Sequence, residues 1–289
     1  MYQLFFDSDC DITLRECKKY NAILISMPYA IDGEETFPYK DWEEFDDKAF
    51  YDILRTRNVL PTTSALSAQE YIEYFEPVLK EGKDILYPHF SRKMSATFNS
   101  ADTAIKELQA KYPERRIVLI DTRAITISSY LTCIQIGELA LQGKSIDEIL
   151  KWSETNIEHS AAYFFADNLK FFARSGRVGG FSAFMGGMIG VKPLIHISNE
   201  GKMESIDRAV GRKKIIDKIF DYVVKLEDHI QDYPVIIAQA GIPDLIEDFI
   251  KRLEEKFGKL DIRVVAVNPT AGCHCGPDVL GIGFHAIHR

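Results

Sequence analysis

The chain has 289 residues, 46% hydrophobic and 27% charged, with a net charge of −8. That length admits one large domain or two of ordinary size, and the negative balance excludes a nucleic-acid face, which needs clustered cations to meet phosphate. No apolar stretch approaches the ~20 residues that cross a bilayer, and residues 1–7 run straight into a strand pattern without the basic segment of a secretory signal. Five scattered cysteines, Cys10, Cys17, Cys133, Cys273 and Cys275, are few and odd in number. They argue against a disulfide framework and for a reducing, cytoplasmic setting.

In chain order, residues 4–6, 22–27, 85–87 and 117–120 read as strands, and residues 42–55, 68–80, 101–111 and 127–141 carry apolar side chains at helical spacing. Strand–helix alternation of this kind predicts an α/β layer with a mainly parallel sheet. Ser145 followed by Glu148 is a capping pair that opens another helix. The character changes near residue 160, which divides the chain into an N-terminal α/β domain, 1–160, and a C-terminal mixed α+β domain, 161–289. In the second part residues 161–166 form an apolar strand. Residues 191–197 and 203–206 form a hairpin around a Ser198-Asn199-Glu200-Gly201 turn. Residues 215–226 and 242–257 are helical, and 235–239, 262–268 and 282–287 are strands.

Three polar turns far apart in sequence border apolar runs: Leu60-Pro61-Thr62-Thr63-Ser64, Ser91 to Thr97, and Ala271-Gly272-Cys273-His274-Cys275-Gly276-Pro277. They supply hydroxyls and an imidazole without a nucleophile–base order, an inventory that suits holding a carboxylate. Asp9 to Leu14 also matches the D-x-D-x-T-L pattern of haloacid-dehalogenase phosphohydrolases, with Asp9 as nucleophile and Asp11 as acid/base. Against it, the strand ends at Phe6, which puts Asp7 at the tip, and Asp46-Asp47 comes too early for a late magnesium pair. A strand-end turn whose carboxylates bond nearby backbone N–H groups is the favoured reading. Cys273-His274-Cys275 has no second Cys/His pair at zinc spacing, so no metal is expected there. The glycines of residues 176–190 form no phosphate loop. Tyr163, Phe164, Phe165, Phe171, Phe172, Phe181, Phe184, Met185, Met188 and Ile189 suit either ordinary core or the wall of an apolar cavity. Residues 170–214 hold nine Lys/Arg against three Asp/Glu, a local +6 that marks an anion site or docking face.

Taken in order, Asp7-Ser8-x-x-Asp11, Thr62-Thr63-Ser64-x-x-Ser67, Ser91-x-x-Met94-Ser95-Ala96-Thr97, Asp121-Thr122, Ser175-Gly176-Arg177, Gly190-Val191-Lys192-Pro193-Leu194 and His274-x-Gly276-Pro277 resemble the DegV family over essentially the whole chain. The resemblance implies a two-domain, non-catalytic carrier with a ligand in the cleft between its domains. That ligand is one long-chain fatty acid, whose carboxylate the carrier presents to a separate ATP-binding fatty-acid kinase subunit, with no further cofactor. It implies that Thr63, Ser95 and His274 hold the carboxylate, and that Arg177 and Arg208 contact ligand or partner. The chain departs from the family pattern at Ala65, Leu66, Ala96, Ser175 and Asp278, which bears on loop shape and docking.

Overall fold

The computed structural model describes residues 1–57, 59–179 and 190–289. The first half follows the predicted alternation. Strand β1 (Tyr2–Asp7) leads to α1 (Leu14–Lys19) and β2 (Ile23–Ile25); then come the short strands β3 (Tyr29–Ile31) and β4 (Glu34–Thr36), α2 (Asp47–Thr56) and β5 (Thr62–Thr63). Helix α3 (Ala68–Lys80), β6 (Asp84–His89), α4 (Thr97–Lys111), β7 (Ile117–Asp121), α5 (Thr126–Leu141) and α6 (Ile146–Asn156) complete it. Strands β2-β1-β6-β7 form a sheet with every pairing parallel, and β4-β3-β5 form a small antiparallel one.

From residue 160 onward a second sheet is built. Its elements are β8 (Ser160–Ala166), α7 (Leu169–Ser175), β9 (Val178–Gly179), β10 (Val191–Ile197) and β11 (Met203–Val210), then α8 (Arg212–Leu226) and β12 (Val235–Gln239). Helix α9 (Ile246–Phe257), β13 (Ile262–Ala266), α10 (Pro269–Cys275) and β14 (Val279–His285) end the chain. The strand order is β13-β12-β14-β8-β10-β11-β9, with parallel and antiparallel pairs mixed. We place the boundary between the two domains where this sheet begins.

Alternation along the strands explains how the layers stack, since successive side chains leave a sheet on opposite faces. Ile236 and Ala238 of β12 and Ala162 and Ala166 of β8 join the core shared with the first half. Val235, Ile237, Ala161, Tyr163 and Phe165 pack on the opposite face with Ile215, Ile219 and Val223 of α8 and Phe249 and Leu253 of α9. Helix α5 lies between, buried through residues 127–134, as a helix apolar around most of its surface must be. Its close approach to β14 needs glycine: a Cβ at Gly283 would lie 3.1 Å from the Ile127 carbonyl oxygen.

Local signals account for most helix starts. Ser67–Glu70 and Ser145–Glu148 are reciprocal capping boxes for α3 and α6. The helix expected from residue 42 starts only at Asp47, because the Asp46 side chain caps it by accepting from the Ala49 N–H at 2.9 Å. Helix α4 starts earlier than expected, at Thr97, and the hairpin's second strand continues to Val210. The turn expected around His274 is helix α10. Of the aromatic tract, Phe181, Phe184, Met185, Met188 and Ile189 lie outside the described residues.

Candidate functional site

A cavity of about 190 Å³ lies where α10, β5 and the starts of α4 and α5 converge, with Phe164, Ala238 and Gly281 of the second sheet on its wall. That is more than ten times the space one water molecule needs. Met27, Phe90, Met94, Ile127, Phe164, Phe172 and Val267 make its apolar lining, and Thr63, Ser95, Arg177 and His274 also face it. Three of these, Thr63, Arg177 and His274, equally line a small recess on the outer surface with Arg174 and Phe171. These three therefore stand at the mouth, between a largely apolar chamber and solvent, with Ser95 further in.

Each is held from a different part of the chain. Thr63 sits in β5, opposite Tyr29 of β3, and its hydroxyl lies 2.9 Å from Nε2 of His274. Ser95 precedes α4; its Oγ accepts from the Thr97 N–H at 3.2 Å, which leaves the hydroxyl proton free to donate. His274 rides on α10. Asn268 caps that helix by accepting from the Ala271 N–H at 2.9 Å, and Pro269 occupies its first turn. Asp11 in turn receives the Asn268 N–H at 2.8 Å and its side-chain amide at 2.7 Å. Asp11 thus carries the end of β1 through Asn268 and α10 to the His274–Thr63 pair.

The other carboxylates of this turn act similarly. Asp7 accepts from the Tyr87 hydroxyl at 3.0 Å and the Phe90 N–H at 3.3 Å. Asp7 meets the nearby Asp9 N–H as expected, and the turn's carboxylates also reach the distant N–H groups of residues 90 and 268. Burial raises Asp7 to about 6 and Asp11 to about 7. Asp9 faces the cavity, and burial, reinforced by Asp7 and Asp11, pushes its carboxyl well above the carboxylate range. Its Oδ1 is buried without a hydrogen-bond partner. A carboxyl held protonated is no nucleophile, and Asp11 is occupied by Asn268. Nothing in this geometry supports the phosphohydrolase reading.

Asp9→Asn is accordingly expected to stabilise the protein at pH 8 and to change little at pH 4. With the folded pKa raised above the unfolded value, the wild type's advantage is fully present below about 3.9 and is lost as pH rises toward the folded pKa. Asparagine has no such loss, so the difference grows by about 1.4 kcal/mol per pH unit in that window. Urea midpoints for both proteins across this pH range test it; a difference that does not depend on pH overturns it.

At the mouth, burial first and then the cations Arg177 and Arg174 depress His274 to about 4. The imidazole is therefore neutral at neutral pH, and the positive charge at the mouth comes from the arginines. Arg174 donates to the Pro61 carbonyl at 3.0 Å, and Arg177 to the Ser175 carbonyl. The rest of the basic segment is partly spoken for: Lys192 pairs with Asp167 at 2.9 Å and Arg212 with the same carboxylate. Arg208 stands apart. It lies exposed within β11, opposite Pro193, and does not line the cavity.

The departures are absorbed locally. Ala96 has ordinary helical angles, φ −74° and ψ −9°. Asp278 has φ 65°, a conformation aspartate tolerates better than most residues, and its carboxylate pairs with Arg55 at 2.9 Å. Ser175 accepts from the Arg177 N–H at 3.2 Å and donates to the Phe172 carbonyl at 2.9 Å, shaping that turn. Leu66 is buried, its N–H on the Thr97 hydroxyl at 3.2 Å, and Ala65 lines the cavity. Sequence reasoning missed Thr126 and Thr270, which also line the cavity. Thr126 has φ 52°, a strained conformation for a β-branched residue that no local pattern announces.

Fold and cavity together define a two-domain α/β protein with an internal, largely apolar chamber. The chain belongs to the DegV family: the model of that family, described as an uncharacterised protein, matches residues 1–286. A DegV domain-containing protein of Clostridium perfringens, CPE0026, is 30% identical over 283 residues, covering 98% of this chain and 97% of that one. Solved structures share the fold. The stearic acid-binding protein of Eubacterium ventriosum superposes with TM-score 0.88 at 22% identity over 99% of this chain and 98% of that one. The fatty acid binding DegV of Bacillus subtilis superposes with TM-score 0.83 at 23% identity over 99% of both chains.

Proposed function

We propose that this protein is a non-catalytic, cytoplasmic carrier that binds one long-chain fatty acid and presents its carboxylate to a separate ATP-binding kinase subunit for acyl-phosphate formation. The observation that carries the reading is the amphipathic division of the cavity: a largely apolar chamber, with Thr63, His274 and Arg177 at its mouth and Ser95 on its lining. Solved relatives with this fold are described as fatty-acid binders, which agrees. Buried methylenes contribute about 0.8 kcal/mol each, so a sixteen-carbon tail supplies about 10 kcal/mol before ordering costs. The carboxylate needs replacement for its lost water, since an unpaired ion in an apolar site costs several kcal/mol. Hydroxyl donors and an adjacent guanidinium meet that need. Arg208, exposed on β11, remains a contact for the partner rather than the lipid. Native mass spectrometry of protein purified without detergent is expected to show one bound acyl chain; protein that stays lipid-free after incubation with fatty acid overturns the reading.

His274 gives this reading a pH signature. An anionic headgroup favours the imidazolium and raises a pKa that stands at about 4 in the free protein. The resulting gain in affinity is fully present below the free-protein value and is lost as pH rises through the bound-state value. The ratio of wild-type to His274→Gln affinity is therefore expected to fall between about pH 5 and 8, where the lipid carboxylate stays ionised. Acyl-phosphate formation by the kinase is expected to suffer more than binding, because in-line transfer depends on how the carboxylate is oriented. A ratio that is flat in pH, with phosphorylation undiminished, removes His274 from the headgroup site.

A further inference from the structure

We propose that His159, Asp228 and His285 form a binding site for a borderline divalent metal ion, zinc above all. None of the three lines the fatty-acid cavity. Their ligand atoms, one from each residue, lie within 4.8 Å of one another. The residues come from three separate segments: the turn before β8, the stretch after α8 and the end of β14. Backbone hydrogen bonds lace these segments together. The Ala286 N–H donates to the His159 carbonyl at 2.9 Å, Asp228 N–H to His285 at 3.2 Å, and Ile287 N–H to Leu226 at 2.9 Å. The donors are thus pre-positioned by main chain and do not depend on flexible loops to meet.

The tautomer of His159 is already that of a ligand. Its Nδ1 lies 2.7 Å from the Ala286 carbonyl oxygen, which can only accept, so the proton sits on Nδ1 and Nε2 carries a free lone pair. Metal-bound histidines hold their second nitrogen in this way. His285 is buried and clamped by the Tyr233 ring stacked at 3.8 Å, with its Nε2 3.7 Å from an Asp228 oxygen. Zinc–ligand bonds of about 2.0–2.2 Å require the three donors to draw in to roughly 3.4 Å from one another. His159 and Asp228 are partly exposed and free to make that rotation. Exposed His229, whose Nε2 lies 3.8 Å from the other Asp228 oxygen, or a water completes a tetrahedron. Two imidazoles with one carboxylate suit zinc and disfavour magnesium or calcium, which prefer all-oxygen shells.

The test is calorimetric titration of zinc chloride into the full chain, metal-stripped and without an affinity tag. One equivalent is expected to bind, and His159→Ala and Asp228→Asn are each expected to weaken it at least tenfold. Both positions are partly exposed, so metal-free melting curves of these variants should stay close to wild type. Zinc should raise the melting temperature of the wild type and lose that effect in the variants. Cys273→Ser, at the other Cys/His grouping, should bind zinc as the wild type does. No saturable binding, wild-type affinity in either site variant, or loss of binding in Cys273→Ser each overturns the proposal.

Discussion

Replacing Thr63 and Ser95 together by alanine is expected to lower fatty-acid affinity on the order of a hundredfold while leaving the protein folded. Each hydroxyl bond to a charged group contributes roughly 1.5–3 kcal/mol, so losing two of them outweighs any single truncation of the apolar wall. Folding should survive because the side-chain bonds of these residues are local or at the mouth: Thr63 to His274, and Ser95 to its neighbour's N–H. Calorimetric titration with a long-chain fatty acid, beside a thermal melt, measures both quantities. Arg208→Ala, outside the cavity lining, serves as the unaffected comparator. Full affinity in a folded double variant would show that the carboxylate sits elsewhere.

The second large effect belongs to the backbone. Gly276 closes α10 with φ 72°, and a Cβ there would stand 2.4 Å from the Phe171 ring. Gly276→Ala combines a left-handed conformation, costing roughly 1–2 kcal/mol, with overpacking of roughly 1–3 kcal/mol. We expect a loss of about 3 kcal/mol and a weakened site, since α10 carries His274. Gly143→Ala is the control: its φ is 76° but nothing lies within 4 Å of the added methyl. If the two variants cost the same in a urea titration, the Phe171 ring yields freely and packing does not lock α10.

Periodicity disclosed the elements that bury a continuous apolar face. Helix α3 and strands β10 and β12 fall where the pattern put them, because each is long enough to show its repeat. The small sheet of β3, β4 and β5 left no such trace: Glu34–Thr36 is exposed throughout, and Thr62–Thr63 is two residues long. Yet that sheet aims Thr63. Helix α10 was hidden for another reason, since Pro-Thr-Ala-Gly-Cys-His-Cys is buried at six of seven positions and has no polar face to set a period. Thr63, Ser95 and His274 were reached through the family pattern, and their convergence on one cavity follows from long-range pairing that spacing cannot show. Asp9 was read as an ordinary strand-end carboxylate. It is buried against the cavity, in a turn that Asp11 ties to Asn268, 257 positions away.

Strand β14 lies between β12 and β8, in the interior of the seven-stranded sheet, although it comes after the other six in chain order. Until residues 279–285 have paired, β8 and β12 each present a bare edge. Edges of this kind recruit other chains, and pairing across such sequence distances is slow. Val279 and Gly281 of β14 also line the cavity, so the chamber closes only when this strand has paired, and a chain that lacks residues 279–285 is left with two bare edges in place of a formed cavity.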